Sequence, residues 1–357
     1  VMLQELKLGD LCTLRAGCAF KTHLQGNKTG QYPFIKVSDM NLPLNEVCIR
    51  DANNWIDEGV RAEIKAKPLP PGTTVFAKIG EALRHNRVRH LVMDTIVDNN
   101  MMGAIPNRDV VDPKFLYYLL SNFDIAATAT GTALPYLTVS TLAETAFLVP
   151  SLSIQRRIAG ILSAYDELIE NSQRRIRILE TMARALYREW FVHFRFPGHE
   201  SVPRVPSPLG EIPKGWEVRR LGEILELNYG KALKKEDRHD GPYPVYGSSG
   251  IVGTHDASLV KGPGIIVGRK GNVGSVFWCD DDFFVIDTAY FVTSALPLRF
   301  LFYVLPTLNF INSDAAVPGL SRHQAYSLEL PVPPADLLAK FCDVADSIER
   351  HAIKLQR

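Results

Sequence analysis

At 357 residues, 46% of them apolar and 22% charged, the chain exceeds one ordinary hydrophobic core and has the composition of a folded soluble protein. Its net charge of +1 excludes a broad polycation, with 15 basic and 15 acidic residues over 1–150 and 13 and 15 over 196–333. No apolar run approaches the ~20 residues of a membrane span, and the start lacks a signal-peptide pattern; five scattered cysteines without a Cys-x-x-Cys pair point to a reducing cytoplasm and away from structural zinc.

Residues 1–150 carry short apolar and β-branched runs cut by Gly, Pro, Asn and Asp, among them Tyr32–Val37, Thr73–Ala77 and Met102–Ile105. That pattern predicts irregular β structure. Pro113 to Phe123 places a proline ahead of apolar residues at helical spacing, which predicts a helix there. From Ser153 the period lengthens. Ile154, Ile158, Ile161, Tyr165, Leu168, Ser172, Ile176, Leu179, Met182, Leu186 and Trp190 fall at steps of three and four, the seam of a long amphipathic helix near the coiled-coil repeat. Residues 151–195 thus form a rod of roughly 60 Å at ~1.5 Å per residue, with Ser153 as its N-cap. Residues 196–214 hold five prolines and no sustained period, so they read as an extended linker.

The second half then repeats the first. Lys7-Leu-Gly-Asp10 through Gly17 to Lys21 returns, 213 residues later, as Arg220-Leu-Gly-Glu223 through Gly230 to Lys234. Ala133-Leu-Pro-Tyr-Leu-Thr138 returns, 183 residues later, as Ala316-Val-Pro-Gly-Leu-Ser321. Residues 215–333 therefore form a second mixed unit, with Pro297–Leu305 matching the first unit's helix. Residues 334–357 form a second spacer helix capped by Asp336, shortened relative to the first. A duplication of this size predicts an α+β molecule with pseudo-twofold symmetry, its two long helices pairing antiparallel as a coiled coil between the units.

The order of these parts, with Pro213-Lys-Gly-Trp216, Pro244–Gly253, Gly264–Gly271 and Val317–Ser321, resembles the DNA-specificity subunit of type I restriction–modification systems over essentially the whole chain. The resemblance implies two target-recognition domains, each reading one half of a split, asymmetric site on double-stranded DNA. It implies spacer helices that set the gap and dock two methyltransferase subunits and, in the full complex, restriction subunits. It also implies a cytoplasmic, non-catalytic subunit that binds no cofactor or metal, with S-adenosylmethionine, ATP and Mg on the partners.

Candidate contact residues follow from side-chain chemistry. Arg84, Asn86, Arg87 and Arg89 lie in a seven-residue run ending at His90, and read either as a phosphate and base-edge loop or as a solvated charged strand. Arg269, Lys270 and Asn272 sit between glycines, with Lys78 of Ala77-Lys-Ile-Gly80 as the counterpart in the first copy, in a turn that serves as a phosphate cradle or simply as a tight hairpin. Lys21, together with Lys231, Lys234 and Lys235, follows the repeated glycine. Lys36 and Ser38 occupy the place of Tyr246, Ser248 and Ser249, and Arg322 follows the repeated Leu-Ser. Tyr187, Trp190 and Phe191 near the end of the first rod are expected either to dock a partner or to pack on the second domain. Catalytic readings lack their motifs: Gly247 to Thr254 has the wrong spacing and no Lys for a Walker A loop, and no Asn-Pro-Pro-Tyr or Asp-Pro-Pro-Tyr tetrapeptide occurs. The alternatives left open are a two-domain nucleotide-binding enzyme using the Gly-rich loops, and a scaffold that binds only proteins.

Overall fold

A computed structural model of the chain describes residues 2–131, 134–310 and 319–356. Ala133 and Ala316 to Pro318 of the second repeated motif lie outside the described residues. The chain divides into two compact units, residues 1–170 and 171–357, and the helix Leu152–Tyr187 begins in the first and ends in the second.

In the first unit β1 (Leu3–Lys7) pairs antiparallel with β10 (Ala146–Pro150), which brings the two ends of the unit together. A five-stranded sheet has the order β2-β9-β6-β7-β4, built from Cys12–Ala16 (β2), Cys48–Ile49 (β4), Thr74–Ala77 (β6), Val88–Leu91 (β7) and Met101–Pro106 (β9). A smaller sheet places β3 (Tyr32–Ile35) between β5 (Trp55–Ile56) and β8 (Ile96–Val97). The predicted helix is present as Pro113–Ser121, its first amides capped by the Asp112 carboxylate at 3.0 and 3.1 Å. It packs its apolar face (Phe115, Leu116, Leu120) into the core beside Leu8, Phe76 and Met102.

The second unit repeats this plan with one strand fewer in its larger sheet. β13 (Glu217–Arg220) pairs with β21 (Glu329–Val332). β14 (Leu225–Tyr229), β20 (Ala289–Ser294), β17 (Gly264–Gly268) and β18 (Val276–Cys279) stand in the order β14-β20-β17-β18. β15 (Tyr243–Gly247) lies between β16 (Gly250–His255) and β19 (Phe284–Val285). The correspondence reaches single residues. The parallel pairs Phe34 with Ile96 and Ile35 with Val97 are matched by Val245 with Phe284 and Tyr246 with Val285.

The repeated glycines explain why two diverged sequences keep one register. A Cβ on Gly17 would stand 2.0 Å from the Asp98 carbonyl oxygen and 2.3 Å from that of Val97. On Gly230 it would stand 2.2 Å from Ile286 O and 2.5 Å from Val285 O. The next amides, of Cys18 and Lys231, donate to Val97 O at 3.0 Å and Val285 O at 2.9 Å. Only a residue without a side chain lets one strand end cross another this closely.

The long helix carries the expected stripe but starts at Leu152, and the closing helix at Ala335, so both begin ahead of the caps read at Ser153 and Asp336. Each globular unit grips its following helix through the same pair: Tyr118 donates to Asp166 at 2.5 Å, and Tyr303 to Glu349 at 2.7 Å. Asp166 and Glu349 are 183 residues apart, the offset of the second repeated motif. The helix ends in a π-helical turn, Arg188–Val192.

Two expectations are corrected in the second unit. Residues 196–214 are no extended linker. β11 (Arg204–Ser207) and β12 (Gly210–Pro213) form a hairpin, and Phe196, Ile212 and Trp216 are buried in the core. A two-stranded ribbon tolerates Pro206 and Pro213 because each strand has a free edge. Tyr187, Trp190 and Phe191 are 7%, 9% and 5% exposed and cannot present a docking surface. Their rings meet Phe341, early in the closing helix (Ala335–Gln356), at 6.3, 6.1 and 4.9 Å, so packing on the second unit is the reading realised. Burying each such ring contributes about 1.5–3 kcal/mol.

The glycine approach yields a direct test. Gly17→Ala and Gly230→Ala should each lower unfolding free energy by about 2 kcal/mol or more, since neighbouring backbone must shift. Gly160→Ala on the long helix, with open space around it, should raise stability by up to about 1 kcal/mol. Urea unfolding of the three variants measures both, and unchanged midpoints for the first two would show that the crossing is not tight.

Candidate nucleic-acid interface

The glycine crossing delivers the end of β14 beside the turn that follows β17. Tyr229, the last residue of β14, lies opposite Tyr290 of β20, with ring centroids 5.1 Å apart. Past β17, the amides of Arg269 and Lys270 both donate to Thr288 O, at 2.9 and 3.1 Å. The Leu320 amide in turn donates to Arg269 O at 2.8 Å, and the Tyr290 hydroxyl to Leu320 O at 3.1 Å. These bonds draw the Arg269 turn and the Gly319–Arg322 segment, 50 residues apart, onto one patch.

Two guanidinium groups share that patch. Arg269 lies 5.0 Å from the Tyr229 ring centroid and 5.8 Å from that of Tyr290, and Arg322 lies 4.5 Å from Tyr229. Each is also anchored to a backbone oxygen, Arg269 to Asp287 O at 3.1 Å and Arg322 to Leu227 O at 3.2 Å. Burial, then the bond with Tyr229, pushes the Tyr290 phenol up to about 12, so it stays a neutral donor. Tyr229 is half exposed. Beside it opens a groove of about 930 Å³ lined by Glu223, Glu226, Thr293, Ser321 and His323. A stacked guanidinium held in one plane keeps free N–H groups for phosphate oxygens or a guanine edge, and the carboxylates can accept from cytosine. Tyr229 was absent from the sequence candidates. The available signal was an aromatic residue next to the repeated glycine where the first copy has Ala16.

Other candidates in this unit divide by exposure. Lys231, Lys234, Lys235, Ser249 and Asn272 are exposed, and Lys270 and Ser248 are half-buried. The hairpin reading of Gly268–Gly274 holds together with the cradle reading, because Gly271 and Gly274 take φ of 77° and 76°. Tyr246 is a correction. It is 6% exposed, its ring packed on Phe283 at 5.9 Å, because its place on β15 faces the core.

In the first unit Lys78 takes the backbone position of Arg269: its amide donates to Asn100 O at 2.7 Å, and it accepts from the Leu137 amide at 2.9 Å. Lys21 and Ser38 are exposed. Lys36 is half-buried, bonded to Gln25 and set 5.7 Å from the Phe20 ring centroid. The run Arg84–His90 is mostly framework. Asn86 adopts a φ of 44° and bonds Phe123 O at 2.7 Å and the Ile125 amide at 3.2 Å. Arg89 donates to Met40 O at 2.9 and 3.2 Å and to Val88 O at 2.8 Å, and burial draws its pKa down. Neither is free for DNA contact, because Asn86 is spent on holding the turn before β7 and Arg89 lies on β7, an inner strand of the sheet. Arg84 stays exposed, 3.6 Å from Glu81, and Arg87 is half-buried. A basic pocket that sequence reasoning missed lies at the first glycine crossing, about 210 Å³ in volume and lined by Arg15, Lys65 and Lys67.

His90, at the end of the run, gives the first unit a pH response. Its Nδ1 is buried without a hydrogen-bond partner, and burial depresses its pKa from 6.5 to about 4. Between those values the unfolded chain takes up a proton that the folded chain refuses. Stability should therefore fall as pH drops from about 6.5 to 4, by roughly 3 kcal/mol for this group at the full shift. His90→Phe should flatten that part of the curve in urea unfolding between pH 7 and 4, and an unchanged slope would contradict the assignment.

The family described as type I restriction modification DNA specificity domain matches residues 2–181 and 213–350, the two repeated halves. The chain is 29% identical over 231 residues to the type I restriction enzyme MjaIX specificity subunit of Methanocaldococcus jannaschii, a match covering 63% of this chain. It is also 29% identical over 172 residues to the HindI specificity subunit of Haemophilus influenzae, covering 44% of this chain and 38% of that protein. The chain spans about half the length of the first of these relatives, 52%. The crystal structure of a type I restriction–modification S subunit from M. genitalium shares the fold, with a TM-score of 0.67 at 19% identity over 99% of this chain and 91% of that one.

Proposed function

The chain belongs to the type I restriction–modification DNA specificity family, and from that premise we propose that it is the non-catalytic subunit that selects the DNA sequence. Residues 1–150 and 215–333 each read one half of a split site on double-stranded DNA, and the helices within 151–195 and 334–357 set the gap. Two methyltransferase subunits dock on the helices, with restriction subunits in the full complex, and the assembly works in the cytoplasm. S-adenosylmethionine, ATP and Mg belong to those partners. With Tyr187, Trp190 and Phe191 buried, the docking surface we assign is Ile161, Tyr165, Leu168 and Ile169 of the long helix; the first three belong to the stripe expected as a helix-pair seam and stand exposed in the structure. Among the described residues no helix is long and apolar enough to cross a membrane.

The observation that carries this reading is the pair of arginines converging on Tyr229 at the rim of a groove, in a protein whose overall charge is close to neutral. Local cationic side chains on a rigid aromatic platform suit base and phosphate contact without a polycationic surface, and partners closing around the duplex would supply further neutralisation.

The test uses the chain assembled with its methyltransferase subunits. Arg269→Ala and Arg322→Ala should each weaken specific DNA binding by about 1–3 kcal/mol, or roughly 5- to 150-fold, while assembly on size exclusion is retained. A variant that lost a phosphate contact should also lower the salt slope by about 1. Unchanged affinity in both variants would remove this patch from the interface.

A further inference from the structure

The loop after the candidate lysines returns to the edge of β16 in a way that the DNA-reading site does not use. Arg238 pins the loop to that strand, donating to Val252 O at 2.7 Å and Leu233 O at 3.4 Å. The chain then passes so close that a Cβ on Gly241 would stand 2.3 Å from His255 O and 2.4 Å from Asp256 Cα. The crossing stacks the His239 and His255 rings with centroids 5.8 Å apart. Nδ1 of His239 lies 3.5 Å from Asp256 Oδ2, and Nδ1 of His255 lies 3.4 Å from Asp256 Oδ1. One ligand atom from each of the three residues falls within 4.8 Å of the others.

We propose that His239, His255 and Asp256 form a binding site for a divalent transition ion of the zinc class. Bonds of ~2.0 Å in tetrahedral geometry put neighbouring ligand atoms ~3.3 Å apart; here the two imidazoles approach different oxygens of Asp256 at 3.5 and 3.4 Å, so a small rotation of the exposed Asp256 or His239 side chain would close the set on one ion. Two imidazoles and one carboxylate suit zinc rather than calcium or magnesium, which take oxygen ligands. His255 is already held: its side chain is 12% exposed and sits edge-on to Phe284 at 5.6 Å. Its Nδ1 accepts the His239 amide at 3.3 Å. That bond is at the long limit and is given up at little cost. His239 and Asp256 remain more than half exposed, which leaves an entry path and room for water to complete the coordination.

The duplication supplies an internal comparison. β15 pairs Tyr243 with His255 as β3 pairs Tyr32 with Ile56, so His255 and Asp256 stand where the first unit has Ile56 and Asp57. The ladder therefore folds without an imidazole at this place, and a structural need does not account for His255. No pair of cysteines is involved, so the cysteine spacing that argues against structural zinc does not bear on this site. Binding would tie the loop carrying Lys231, Lys234 and Lys235 to the edge of β16 and restrict its motion.

The test is calorimetric titration of the full chain with zinc chloride, repeated for His239→Ala, His255→Ala and Asp256→Asn. The wild type should bind one equivalent, reversed by EDTA, and each His→Ala change should weaken binding by about tenfold or more. His239 is exposed, so His239→Ala leaves the fold intact and keeps the test valid even if His255→Ala destabilises the strand. No zinc uptake by the wild type, or isotherms that are the same in all four proteins, would overturn the proposal. DNA binding is not the readout, so this outcome is independent of the DNA-reading role.

Discussion

The structure of each unit depends on one steric constraint: a strand end that crosses another backbone with no room for a side chain. At Gly17 the obstacle is the Val97–Asp98 carbonyls, and at Gly230 it is those of Val285–Ile286. The crossing fixes β2 against β9 and β14 against β20, because the glycine amides go on to donate to Met101 O and Ala289 O at 3.1 and 3.2 Å. With those registers set, β6 and β17 take their places, and the turns after them capture the segments that begin at Leu137 and Leu320. The candidate interface is the outer end of this chain of consequences.

What differs between the units is the set of side chains mounted on the shared frame. Tyr229 stands where the first unit has Ala16, and Arg322 where it has Val139; Arg269 takes the position of Lys78. The first unit instead gathers Arg15, Lys65 and Lys67 at its crossing. Two surfaces of unlike chemistry on one backbone plan fit a protein that reads two unlike half-sites, which is what a split asymmetric target requires.

Much of this was legible in the sequence for physical reasons. The repeat was visible because the glycine crossing tolerates no substitution, and the long helix because its stripe keeps a 3.5-residue period. The burial of Tyr187, Trp190 and Phe191 was not legible, since an aromatic stripe looks the same whether a partner or the chain's own second unit covers it. Asn86 and Arg89 misled because a run of charged and polar residues does not reveal that Asn86 ties its turn to Phe123 O while Arg89 on β7 reaches the Met40 carbonyl. The hairpin in 204–213 was hidden by prolines that only a free-edged ribbon admits. Tyr229 drew no notice because its role needs Arg269 and Arg322, which are far off in sequence, and the His239–His255 pairing has no motif spacing to betray it.

The central claim is that the two units read separate halves of one target. It is tested most directly by mapping methylated bases across the genome of a host that carries the complete system, with wild-type chain and with Arg322→Ala. The account predicts a motif of two specific blocks separated by a constant unspecified gap, with the variant relaxing or abolishing recognition in one block only. A single continuous motif, or a variant that alters both blocks alike, would contradict it.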